Sequence, residues 1–235
     1  MSQDNSTFLG APFFPLSLSS LAVVPGEPPC IATGGTDWAV RIWDVVTCRE
    51  SARLMQGGHT YCVNFVAAAS FEGVHCLISG GDDRRVVVWD ARMGDAVASM
   101  EKHVSAVTCV ALDQSGQGKW LASGGEDGYL YIYEPRTWKV LKTLHSPPHA
   151  ASSSLTGHGA SRPARRWEGE TEGASMLHRV TALTTSPCGS MLFGAGGKHN
   201  RIRAWEAGSW EERGSGFEVA GLSTVNSLCT VEMQM

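Results

Sequence analysis

His59, Ser79 and Asp83 are the three side-chain types that make an acyl-transfer nucleophile: a hydroxyl, an imidazole to take its proton and a carboxylate to orient the imidazole. The trio recurs as His103, Ser123 and Asp127. Counted back from Trp89 and Tyr133, the offsets are thirty, ten and six residues in both sets. A hydrolase needs its nucleophile once, whereas an architectural element is needed in every repeat. The recurrence therefore argues for structure and against catalysis. "GAGGKH" at 194–199 comes nearest to a phosphate-cradling loop, but that loop requires glycine at 192 and a hydroxyl at 199, where Leu192 and His199 stand. His75 with Cys76, and Cys62 near His59, lack the paired spacing of a zinc site, so neither metal nor cofactor is expected.

The elements that carry these residues come in copies. "IATGGTDWAVRIWDVV" (31–46), "LISGGDDRRVVVWDAR" (77–92), "LASGGEDGYLYIYEPR" (121–136) and the degenerate "FGAGGKHNRIRAWEAG" (193–208) follow one plan. A Gly-Gly pair precedes an aromatic by eight residues in each, from Gly35 to Trp43, Gly81 to Trp89, Gly125 to Tyr133 and Gly197 to Trp205. The glycines are expected to lead into a tight turn that needs positive φ, and "VRIW", "VVVW", "LYIY" and "IRAW" read as strands. Two of these strands are almost wholly apolar, which fits a sheet covered on both faces. By offset, the fourth copy puts Ala195 and His199 where serine and aspartate would sit.

Successive aromatics lie 46, 44 and 72 residues apart. The surplus in the last interval is a segment rich in Pro, Ser, Gly and Ala, residues 146–177, read as a flexible insertion whose "RPARR" is a solvated loop. Residues 8–24 are apolar but carry Pro12 and Pro15 and follow Asp4 with no basic residue, so neither a leader nor a membrane span is expected. A net charge of −4 offers no basic footprint, which points away from nucleic acid and anionic membranes and toward protein partners. Seven cysteines without a CxxC pair fit reduced thiols, serving as small core residues, in the cytoplasm or nucleus.

The histidine starts, Ser-Gly-Gly turns, internal aspartates and terminal Trp-Asp resemble the WD-repeat family of β-propellers over roughly residues 16–231, the insertion excluded. The resemblance implies an all-β propeller, incomplete beside the family's usual ring of about seven blades. Blades are expected at 16–56, 57–101, 102–145 and, degenerate, 178–219, after an N-terminal extension at 1–15 and before the first strand of a fifth blade at 220–235. It implies hydrogen-bonded structural networks of His59, Ser79, Asp83 and Trp89, and of His103, Ser123, Asp127 and Tyr133. It also implies a non-catalytic scaffold for protein–protein interactions in a multi-protein complex, rather than an enzymatic or ligand-binding propeller. Partner contacts are expected from Trp38, Tyr61, Arg84, Glu126 and Lys198 on one face. On the other, the stretch ending Trp89-Asp90-Ala91-Arg92 resembles the signature by which substrate receptors of cullin-RING ubiquitin ligases dock on their adaptor, with Arg136 as a second anchor.

Overall fold

The computed structural model describes residues 17–24, 28–71, 74–91, 93–115, 117–145, 179–196, 201–214, 216–218 and 225–229. Their regular structure is entirely β, in four antiparallel sheets of four strands, each a simple up-and-down meander. The first sheet holds β1 (Leu18–Val24), β2 (Cys30–Gly35), β3 (Val40–Asp44) and β4 (Arg49–Leu54). The second holds β5 (Val63–Phe71), β6 (Val74–Gly81), β7 (Val86–Asp90) and β8 (Ala96–Met100). β9 (Val107–Leu112), β10 (Leu121–Gly125), β11 (Tyr129–Glu134) and β12 (Lys139–His145) form the third. β13 (Val180–Thr185), β14 (Met191–Gly196), β15 (Arg201–Glu206) and β16 (Phe217–Glu218) form the fourth. The first strands β1, β5, β9 and β13 adjoin one another in sequence order, so the sheets stand as a fan with these strands innermost.

The period of two in a strand explains how an all-apolar segment is used. Val87 and Trp89 of β7 point into the cluster shared with the first sheet, while Val86 and Val88 point into the cluster shared with the third. All four are fully buried, because both faces of the second sheet are covered. β11 repeats the device, with Leu130 and Ile132 toward the fourth sheet and Tyr133 toward the second.

The Gly-Gly pairs serve packing, and the expectation of positive φ is corrected: none of Gly34, Gly35, Gly80, Gly81, Gly124 and Gly125 lies in the left-handed region. Each first glycine makes room for the next sheet. A methyl on Gly34 would stand 2.5 Å from Val63 Cγ1, on Gly80 2.5 Å from Val107 Cγ1, and on Gly124 2.7 Å from Val180 Cγ1. The second glycines face their own sheet's network, Gly81 against His59 Nδ1 and Gly125 against His103 Nδ1.

The fourth sheet departs by one residue. Trp205 pairs with Leu192, thirteen positions earlier, where Trp89 pairs with Leu77, twelve earlier. The connection between β14 and β15 is thus one residue longer, and Gly194, not Ala195, takes the serine's place beneath the indole. Ala195 takes the first glycine's place, and Val225 packs on it with Ala182. Residues 225–229 join no strand ladder; 220–224 and 230–235, the rest of the expected fifth-blade strand, lie outside the described residues, as do 1–16 and 146–178. All seven cysteines are free, but only Cys76 and Cys109 are buried, so the expectation of a core role fails for exposed Cys48, Cys188 and Cys229.

Gly80→Ala should lower stability by ~1–3 kcal/mol, because the second sheet must move from the third to admit one methyl. Chemical denaturation measures this.

Candidate functional site

The second sheet assembles one continuous chain of hydrogen bonds. His59, in the connection from β4 to β5, places Nδ1 2.9 Å from Asp83 Oδ1 and Nε2 2.7 Å from Ser79 Oγ. Trp89 Nε1–H donates to the same Ser79 oxygen at 2.8 Å. Asp83 also accepts from the backbone N–H of Thr60 and of Arg85, at 3.0 and 3.2 Å. A carboxylate can only accept, so Nδ1 carries the imidazole proton, Nε2 accepts from the serine hydroxyl, and the serine oxygen accepts from the indole. Every polar atom of the chain is partnered, and the β6–β7 turn is thereby tied to the connection before it.

The third sheet repeats this with His103 Nδ1 3.0 Å from Asp127 Oδ2 and Nε2 2.8 Å from Ser123 Oγ. Here the aromatic is Tyr133, whose hydroxyl lies 3.4 Å from Ser123 Oγ, a looser contact than the indole makes. The substitution is matched elsewhere. Gly58 lies directly under the Trp89 ring, where a methyl would collide with it, whereas the third copy carries Lys102 at that offset. In the first sheet Trp43 Nε1–H donates to Thr33 Oγ1 at 2.8 Å. Asp37, which matches Asp83 by offset, binds Arg41 instead. The sequence reading missed Thr33 and Asp37, although their offsets of ten and six from Trp43 are the signal.

Hydroxyl, imidazole and carboxylate are thus in the order and at the distances of a nucleophilic triad. Ser79 and Ser123 are nonetheless completely buried, and the Ser79 oxygen already receives the Trp89 N–H. A substrate carbonyl cannot reach either hydroxyl, so the geometry serves structure. Among the described residues no three His, Cys, Asp or Glu side chains group as metal ligands.

Burial by itself would raise the Asp83 and Asp127 carboxyls, but the hydrogen bond from the histidine and the two backbone N–H donors outweigh it. Both are held below their ordinary 3.8. A carboxyl depressed on folding contributes stability that is complete above its unfolded value and lost as pH falls through its folded value.

The rim formed by the β2–β3, β6–β7 and β10–β11 turns and the β4–β5 connection carries most of the expected partner residues. Trp38 and Tyr61 are 38% and 60% exposed, and their ring centroids lie 6.1 Å apart across the junction of the first two sheets. Trp38 (φ 66°) and Arg84 (φ 67°) both lie in the left-handed region, at the place where the third copy has Gly128 (φ 77°). Glu126 is engaged, 3.4 Å from Ser105 Oγ and 3.6 Å from Arg179. Lys198 lies outside the described residues. On the opposite rim, Arg136 is exposed in the β11–β12 turn and Arg92 lies outside the described residues.

The family described as "WD domain, G-beta repeat" matches residues 51–90 and 94–134. Transducin beta-like protein 3 of Bos taurus is 32% identical over 114 residues, covering 48% of this chain and 14% of the relative. The U3 small nucleolar RNA-associated protein 15 homolog of Gallus gallus is 33% identical over 125 residues, covering 53% of this chain and 22% of the relative. The crystal structure of RRP9 WD40 repeats shares the fold with a TM-score of 0.64 at 19% identity, over 86% of this chain and 51% of that one. The chain therefore spans less than a quarter of either relative and about half of the solved structure.

Asp83→Ala should lower stability by ~1–3 kcal/mol, since it strands the buried His59 donor and removes the acceptor of two backbone N–H groups. Asp83→Asn and Asp127→Asn should each flatten the loss of stability below about pH 4, read from denaturation midpoints on an acid series. Arg84→Gly should raise stability by up to ~1 kcal/mol by relieving the left-handed backbone.

Proposed function

The chain belongs to the WD-repeat β-propellers, and from that premise we propose that it is a non-catalytic scaffold that holds proteins within a multi-protein assembly. Partners bind on the rim bearing Trp38, Tyr61 and Arg84. The observation that carries this reading is the backbone at residues 38 and 84. Two large side chains occupy positions that glycine fills in the neighbouring copy, at a conformational cost of ~1–2 kcal/mol each. Arg84 is exposed, and Trp38 meets only Tyr61 and keeps 38% of its surface open, so neither side chain is held there by the core. An exposed Trp–Tyr pair beside an arginine has the composition of protein-interface anchors. The buried networks fix the turns from behind, so the rim is presented on a rigid support.

A relative named for association with small nucleolar RNA supports a nuclear assembly as the setting. The chain's net charge of −4 favours protein over RNA as what it touches there. Affinity capture from cells, followed by identification of the bound proteins, tests the scaffold. Replacing Trp38, Tyr61, Arg84, Glu126 and Lys198 together by alanine should strip partners from a chain that still folds. Retention of every partner would remove this rim from consideration. Arg92→Ala and Arg136→Ala probe the opposite rim, and loss of the cullin-RING adaptor from them alone would establish the ligase-receptor form of scaffold.

A further inference from the structure

The β9–β10 connection and two turns of the fourth sheet wall a cavity of about 680 Å³ between the third and fourth sheets. It opens on the rim that bears Arg136, which is not among its walls. Asp113 accepts from the backbone N–H of Ser115 and of Lys119, at 2.9 and 2.8 Å. Gly189 of the β13–β14 turn lies so close that a methyl on it would stand 2.0 Å from Asp113 Oδ1. The acid of the lining is thus engaged in holding its own walls. Trp210 backs the cavity from left-handed backbone (φ 57°), at the place where the second sheet has Gly94 (φ 78°). Its ring meets that of Trp120 edge-on, with centroids 5.3 Å apart.

Trp120 is only 3% exposed. Its indole N–H meets no acceptor among the described residues and is not sealed in by them, so the donor opens to the cavity that Trp120 lines. Elsewhere such a donor is used: Trp43 and Trp89 give theirs to Thr33 and Ser79. Lys119 and Lys142 are exposed in the lining, and neither ammonium meets a carboxylate among the described residues. Leu141, 51% exposed, and half-buried Trp210 add an apolar side.

We infer that this cavity receives an acidic segment of a partner protein. A carboxylate of the segment accepts from the Trp120 N–H, Lys119 and Lys142 supply the countercharge, and a neighbouring apolar side chain lies on Leu141 and Trp210. The choice of a protein rests on the scaffold reading, but the site does not depend on the Trp38 rim. Charge selects the acid, because two lysines stand against one aspartate whose oxygens are already engaged. Size and the apolar side select a segment over a free anion. Phosphate or acetate would leave most of the cavity, and its hydrocarbon wall, to water.

Cys188 makes occupancy measurable. Its thiol is exposed in the lining, and hydrogen bonds from Ser186 and Ser190 bring it down to about 7, so it alkylates at neutral pH. On the full chain, iodoacetamide labelling of Cys188 is followed by peptide mass spectrometry. Saturating acetyl-Leu-Glu-Glu-amide should slow it about 5-fold or more, and acetyl-Leu-Gln-Gln-amide should leave it unchanged. Lys119→Ala with Lys142→Ala changes only exposed residues and should raise the acidic peptide's dissociation constant about 10-fold. Trp120→Phe keeps an aromatic ring without the N–H and should raise it about 5-fold, with circular dichroism native. The readout needs no captured partner, so its failure is distinct from failure of the scaffold reading. Unchanged labelling with the acidic peptide overturns the inference, as does equal affinity in the lysine variant. Equal protection by inorganic phosphate at the same concentration overturns the protein segment as occupant.

Discussion

The spacing between sheets depends on a backbone-to-valine contact at the inner end of each junction. Val63, Val107 and Val180 stand where a single methyl on Gly34, Gly80 or Gly124 would collide with them. Neighbouring sheets can therefore approach until side chain meets backbone, and the larger residues further out fill the wedge that remains. Trp89, Tyr133 and Trp205 occupy that wider part, each against the sheet before it. Small residue inside and large aromatic outside are two consequences of one taper. Polar ties follow the same inner line: Asn64 Nδ2–H donates to the Val107 carbonyl at 3.1 Å and the Thr108 hydroxyl to the Val180 carbonyl at 2.5 Å.

The buried networks are what that taper permits. A hydroxyl between two sheets has no water, so each of Ser79 and Ser123 must find partners among groups brought there for the purpose. The imidazole is suited to the middle of the chain because its two nitrogens can donate to a carboxylate and accept from a hydroxyl at once. The same logic makes a triad in an enzyme; what differs is that here an indole or phenol closes the far end. Changes are compensated locally, as the shorter Tyr133 with Lys102 in place of Gly58 shows. The fourth sheet abandons the network, with Gly194 beneath Trp205 supplying no hydroxyl and needing no histidine.

The repeat and its strands were legible because offsets among Gly-Gly, aspartate and aromatic are backbone distances written in residue counts. The membership of the His59 and His103 sets followed from the same offsets. What the offsets concealed was cause. A glycine near a turn suggests φ, and only the neighbouring sheet reveals that Gly80 is there for Val107. The lengthened β14–β15 connection hid for a related reason: counting back from Trp205 passes through the extra residue and lands on Ala195 instead of Gly194. Thr33 escaped notice because a search for serine overlooks the other hydroxyl that can accept from an indole.

The first sheet shows how the repeated face changes where charge replaces an apolar residue. At the place of buried Val87, β3 carries Arg41, held by Asp37 and, at 2.5 Å, by Glu50, which in turn binds Arg53 at 2.9 Å. Such a cluster is well satisfied where water reaches it, and stripping that water would cost more than the pairs return. This face is therefore divided, with an inner apolar strip at Leu18, Leu21 and Val23 that gains from being covered and an outer charged half that gains from staying wet.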